Sequence, residues 1–114
     1  MIEGYSFGKI VIDKQAYTGD VLIFPDYVQG NWWRKEGHLL QWEDIADAVA
    51  LCTPEILVVG KGKFGFMRID ARVKEELEKR KIQLYAEPTD KAVRIYNRLL
   101  LTGKKVLGAF HLTC

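Results

Sequence analysis

The stretch ILVVGKGKFGFMRIDARVKEELEKRKIQLYAE, residues 56–87, decides how this chain is read. Ile56 to Val59 form an unbroken apolar run with β-branched members, the pattern of a central strand covered on both faces by helices. Glycines at 60, 62 and 65 follow, then a helical pattern, then a second apolar run ending in Glu87. This spacing matches the dinucleotide-binding fingerprint, in which a tight glycine turn approaches a phosphate and a carboxylate about 20 residues on meets a ribose hydroxyl. The match is read as a decoy. The fingerprint needs a helix opening at the third glycine so that its dipole faces the pyrophosphate. Here Phe66 to Asp70 intervene, and no second mononucleotide-binding half exists.

Working outward, Asp70 is the expected N-cap of a helix whose Val73 and Leu77 face inward, with Lys74, Glu75, Glu78 and Lys79 solvated outside. Ile82 to Ala86 reads as a strand. Thr89 is expected to cap a further helix with Ala92, Ile95, Tyr96 and Leu99 buried, ending before Gly103. Val106 to Phe110 forms the last strand. Strand, helix, strand, helix, strand is the order of parallel strands joined by right-handed crossovers, so the fold class is α/β. Parallel strands share a direction, so Gly60 to Gly65, Glu87 and His111 should gather on one sheet edge, where open α/β folds bind ligands.

Upstream, Trp42, Ile45, Val49 and Cys52 recur at helical spacing, and Pro54 ends that helix. Before residue 41 the pattern changes to short strands. FGKIVI and VLIF read as antiparallel strands, with Asp13-Lys14 as the turn between them and Pro25-Asp26 ending the second. The expectation is one layered domain over residues 1–114, with a mixed central sheet, antiparallel N-terminal strands and a C-terminal βαβαβ portion.

Composition agrees with that size. The 114 residues are 48% hydrophobic and 28% charged, which describes one ordinary globular domain. A chain this long buries roughly two thirds of its unfolded surface, so neither disulfides nor metal are obligatory staples. The net charge of +2 is too small to signal nucleic acid or an anionic membrane. Two cysteines, Cys52 and Cys114, suggest free thiols in a reducing compartment. The N-terminus lacks a secretory pattern and no apolar run approaches a bilayer span, so a cytoplasmic protein is expected.

The segments FPDYVQGNWWRKEGHLLQWEDIADAV, ILVVGKG, AVRIYNRLL and GAFHLTC closely resemble the adipogenesis-associated MTH domain family. The likeness runs nearly end to end and rests on Trp33, Arg34, Gly37, His38, Gly60, Gly62, Tyr96, Asn97 and His111 to Cys114. It implies a layered α/β fold on a mixed sheet, the MTH-like fold. It also implies kinship with small archaeal and bacterial proteins and with the mitochondrial complex I assembly factor group, and hence an assembly-factor-like role in binding protein.

Candidate functional residues fall into two sets. Gly60, Lys61, Gly62 and Lys63 can bind a small anion through backbone N–H groups and ammonium charge, or can simply form a turn that needs positive φ. Trp33, Arg34, His38, Glu87 and His111 can line a cleft at the ends of the parallel strands. If the Trp32-Trp33 segment is extended, one indole faces the core and the other faces out as a partner anchor. No metal site is expected, because His38, His111, Cys52 and Cys114 lack paired spacing, and no cofactor is implied. Cys114 as a nucleophile is opposed by its own α-carboxylate, which raises the thiol pKa. Asp13, Asp20, Asp26 and Asp70 sit where turns and caps want short acceptors. No catalytic constellation is complete. The expected function is a non-catalytic interaction or assembly module with an unidentified protein partner. The alternative is a small-anion-binding protein or enzyme using the strand-end cleft.

Overall fold

The computed structural model describes all 114 residues. In chain order the elements are β1 (Ile2–Ser6), β2 (Lys9–Ile12), β3 (Gln15–Tyr17), β4 (Val21–Ile23), β5 (Val28–Gln29), β6 (Leu39–Leu40), α1 (Trp42–Cys52), β7 (Ile56–Lys61), β8 (Arg68–Ile69), α2 (Ala71–Lys79), β9 (Gln83–Glu87), α3 (Thr89–Leu100) and β10 (Val106–His111). The central sheet has the order β5-β4-β10-β7-β9. β10, β7 and β9 run parallel, while β4 pairs antiparallel with β10 and β5 antiparallel with β4, so the sheet is mixed as expected for this α/β fold.

Alternation along the strands sorts two cores onto opposite faces of that sheet. Leu22, Leu57, Val59, Leu107 and Ala109 pack toward Ile45 and Val49 of α1 and toward Val73 and Leu77 of α2. Val21, Ile23, Ile56, Val58, Val106 and Phe110 pack toward Ala92, Val93 and Tyr96 of α3 and Ile2, Ile10 and Ile12 of the β1-β2-β3 sheet. β7 is apolar throughout Ile56 to Val59 because it meets side chains on both sides. Asn97 ties the small sheet to α3, accepting from Ile2 N–H at 2.9 Å and donating to Ile2 C=O at 2.8 Å.

The first 20 residues differ from the expectation. Asp13 and Lys14 do form a turn, with φ of 49° and 70°, the two positive values of a two-residue hairpin. They join β2 to β3, not β2 to the VLIF strand, and Phe7-Gly8 is itself a turn leading back to β1. The strands β1 and β3 are half-polar and short, so they carry little apolar periodicity to read. Inside the segment Phe66 to Asp70, Arg68-Ile69 pairs in parallel with Leu39-Leu40 as a separate two-stranded ribbon. This is why α2 starts well beyond the third glycine. Asp70 caps it as expected, accepting from Arg72 N–H. The cap of α3 is Pro88 instead of Thr89, whose side chain has a different task.

Candidate functional site

The parallel strands deliver their ends to one rim: Gly60 pairs across from both Phe110 and Glu87, and Lys61 from His111. The antiparallel strand β4 begins at the same rim. Its Val21 pairs with Phe110, so the preceding residue, Asp20, falls beside His111. Asp20 is therefore not the ordinary turn acceptor that the sequence suggested but the part-buried hub of a cluster with the buried Arg34 and His111.

Asp20 Oδ2 lies 2.8 Å from Arg34 Nη1 and 2.8 Å from His111 Nδ1, while Oδ1 accepts from Leu112 N–H at 2.8 Å. Arg34 Nη2 donates to Gly37 C=O at 2.8 Å, and the guanidinium lies over the Trp32 ring at 4.7 Å. The side chains of Asp20 and Arg34 are 16% and 4% exposed, so the ion pair is screened little by water. A carboxylate only accepts, so the shorter contact, 2.8 Å to Asp20, assigns the Nδ1 proton to the bond from His111 to Asp20. The 3.1 Å approach of Arg34 Nη2 to Nδ1 is then proximity without donation. Burial raises the Asp20 pKa, but the hydrogen bonds from His111, the Leu112 amide and Arg34 outweigh it and hold the carboxyl below its ordinary value. Arg34 Nε and His111 Nε2 are buried without a protein partner.

The glycine loop is fastened to this cluster. Thr89 Oγ1 accepts from Gly62 N–H at 2.9 Å and donates to His111 C=O at 2.6 Å, and Thr89 N–H donates to Gly62 C=O at 3.0 Å. One hydroxyl, with a single donor and two acceptor positions, thus joins the ends of β7 and β10 to the start of α3. Lys63 N–H donates to Thr113 C=O and Gly65 N–H to Gly62 C=O. The amides of Gly62, Lys63 and Gly65 are engaged within the chain, so any anion at this loop would meet the ammonium groups of Lys61 and Lys63. Close packing accounts for two of the glycines. A Cβ on Gly60 would stand 2.7 Å from the Phe110 ring and 2.8 Å from Thr89 Oγ1. Gly62 has φ of +95°, and a Cβ there would stand 2.6 Å from Thr113 C=O and 2.9 Å from His111 Cδ2.

Of the cleft candidates, Arg34, His111 and the glycine loop converge, and the exposed His38 ring lies edge-on to His111 with centroids 6.0 Å apart. Glu87 does not join them and pairs with Lys91 one helical turn on, at 3.5 Å. Lys63 Nζ lies 5.7 Å from the Tyr5 ring centroid. Trp33 is also apart from the cluster. Trp32 is 5% exposed and Trp33 76%, the opposed pair expected of an extended segment. Trp33 borders a groove of about 340 Å³ between β4-β5 and α1, with Tyr27 and Leu51 also exposed along it. The sequence reading named Asp20 only as a turn acceptor and Thr89 only as a helix cap, and it did not find the groove, because these roles depend on contacts between distant segments that no local pattern records. No helix is long and apolar enough to cross a membrane.

These features define a small α/β domain whose strand-end rim is closed by an Arg-Asp-His cluster. Residues 2–111 match the family described as protein of unknown function (DUF498/DUF598), and the chain belongs to that family. Solved structures with the same fold include the conserved hypothetical protein PH1505 from Pyrococcus horikoshii OT3. It is 23% identical with a TM-score of 0.83, and the match covers 100% of this chain and 99% of that one. A Bordetella pertussis protein described as a Mth938-like domain is 18% identical with a TM-score of 0.73, over 98% of this chain and 85% of its own. The protein XCC1710 from Xanthomonas campestris is 21% identical with a TM-score of 0.80, over 98% and 83%. The fold is thus Mth938-like, in agreement with the MTH-like fold the sequence resemblance implied.

Proposed function

We propose that the chain is a non-catalytic protein-interaction module that docks a partner on the groove beside Trp33. The observation that carries this reading is the Trp33 side chain, 76% exposed next to a buried Trp32, with Tyr27 and Leu51 exposed along the same groove. Leaving a large ring in water forgoes the burial that makes tryptophan valuable to a small core, and exposed aromatic anchors in pockets are enriched among residues that dominate binding. The groups best suited to acid-base chemistry support the same reading. Asp20, Arg34 and His111 hydrogen-bond to one another or to the backbone, and His111 Nε2 is out of reach of solvent. Tagged wild-type and Trp33→Ala proteins purified from the native host test the proposal. It expects a near-stoichiometric partner with the wild type that the variant loses, and identical profiles would refute it.

A second reading is favoured by a different observation: a shallow cleft of about 620 Å³ bordered by Lys61 and Arg68 beside Gly65. Two cations against the one carboxylate of Asp70, which caps α2, leave this cleft net positive and suited to a small anion, with Gly60, Gly62 and Lys63 shaping the adjoining turn. A thermal-shift screen of phosphates and carboxylates separates the readings, since saturation at 100 times Kd adds about 2.7 kcal/mol.

A further inference from the structure

The Trp33 groove has a charge pattern that specifies its occupant. Glu43, Asp44 and Asp47 line it, and no lysine or arginine does, in a chain whose net charge is +2. The three carboxylates are not equally committed. Asp44 accepts from Gln41 N–H and Lys35 N–H and is held as part of the start of α1. Glu43 meets Arg72 at 3.6 Å with both side chains more than half exposed, a contact of little strength. Asp47 has no ionic partner within 4.0 Å. Glu43 and Asp47 are also four residues apart on α1, so they stand on one helix face and repel each other. A cation arriving between them relieves that repulsion, and the Trp33 ring that borders the same groove offers it a cation–π partner.

Further along the same face comes Leu51, again four residues on. There Phe24, Tyr27 and Leu51 continue into a second hollow with Pro25 and Cys52, and the charged group at its border is Lys105 together with Asp26. The groove therefore runs from an acidic end at Glu43 and Asp47 to a mainly apolar end at Leu51, where Asp26 and Lys105 are the charged groups at the border. The helical rise from residue 43 to residue 51 is about 12 Å. An extended peptide crosses that distance in about four residues.

Resting on the interaction reading above, we propose that the occupant is a basic segment of a partner protein. It places a lysine or arginine against Glu43, Asp47 and the Trp33 ring, and an aliphatic side chain about four residues away against Leu51 and Tyr27. The Trp33 region then reads charge and the Leu51 region reads shape.

Selection of random twelve-residue peptides on the immobilised wild-type chain, followed by fluorescence titration of the winners in solution, tests this. Expected are peptides that pair a basic residue with an aliphatic one at that spacing, and whose affinity drops about tenfold or more with Trp33→Ala and with Glu43→Gln/Asp47→Asn. Their binding should also weaken as salt rises. Neutral or acidic peptides that still depend on Trp33 would overturn the basic partner while leaving the interaction module standing. Binders indifferent to Trp33 would overturn the proposal and remove support from that module. Sedimentation of the free chain closes the remaining case. Dimers abolished by Trp33→Ala would make a second copy the occupant and overturn the proposal, whereas a monomer is the expected result.

Discussion

His111 Nδ1 and Asp20 Oδ2 lie 2.8 Å apart, although 91 positions separate them in sequence. The contact closes the seam between β4 and β10 at the rim of the sheet, and Arg34 completes it from the tryptophan loop. Removing one member of a buried ion pair leaves the other charged and uncompensated, at a cost of about 3–5 kcal/mol. Asp20→Asn should therefore lower the unfolding free energy by about 3 kcal/mol in urea titration, with Arg34 left as the stranded charge. A loss under about 1 kcal/mol would mean that Arg34 finds another acceptor.

The same residue sets a pH dependence. The folded pKa of Asp20 lies below its ordinary value of 3.8, so its contribution is fully present above that value and is lost as pH falls through the lower folded pKa. Wild-type stability should fall more steeply than that of Asp20→Asn below about pH 4. Parallel acid-denaturation curves for the two proteins would contradict the assignment.

Gly62 combines positive φ with two close approaches, from Thr113 C=O and His111. Gly62→Ala should destabilise by about 1–3 kcal/mol, seen as a lower Tm. Gly103 also has positive φ, at +78°, but nothing lies within 4 Å of its absent Cβ. Gly103→Ala should therefore cost less, because backbone strain acts there alone.

The two adjacent tryptophans should respond oppositely. Trp33→Ala is expected to stay within about 0.5 kcal/mol of wild type. Trp32→Ala loses a buried ring that also supports the Arg34 guanidinium, and should cost about 3–5 kcal/mol. Comparable losses from both would show that Trp33 is part of the packed structure and free the groove of its anchor.

Much of this architecture could be read from the chain. The runs at Ile56 and Val106, buried on both faces, and the stripes of Val73 and Leu77 or Ala92 and Tyr96, have strong periodic signals because each meets a dense core. The parallel rim followed from them, and it brings the glycine loop and His111 to neighbouring strand ends, while the side chain of Glu87, at the end of β9, pairs with Lys91 instead. Asp20 was opaque because its role comes from an antiparallel register between residues far apart in sequence. Thr89 had the right identity for a helix cap, and only the nearness of Gly62 and His111 diverts its hydroxyl to them. Gly60 and Gly62 have the spacing of a phosphate-binding turn, and the close approach of Thr89, Phe110 and the C-terminal residues is itself enough to demand glycine at both. The groove escaped notice for a related reason, since Tyr27, Trp33 and Leu51 come from three separate segments.

The central claim is that Trp33 anchors a partner, and site-specific photo-cross-linking in the native host addresses it directly. A photoreactive phenylalanine analogue placed at position 33 should yield one discrete adduct with another protein. The same group at Leu101, which is 78% exposed on the C-terminal side of α3, should yield none. Indistinguishable patterns from the two positions would contradict the account.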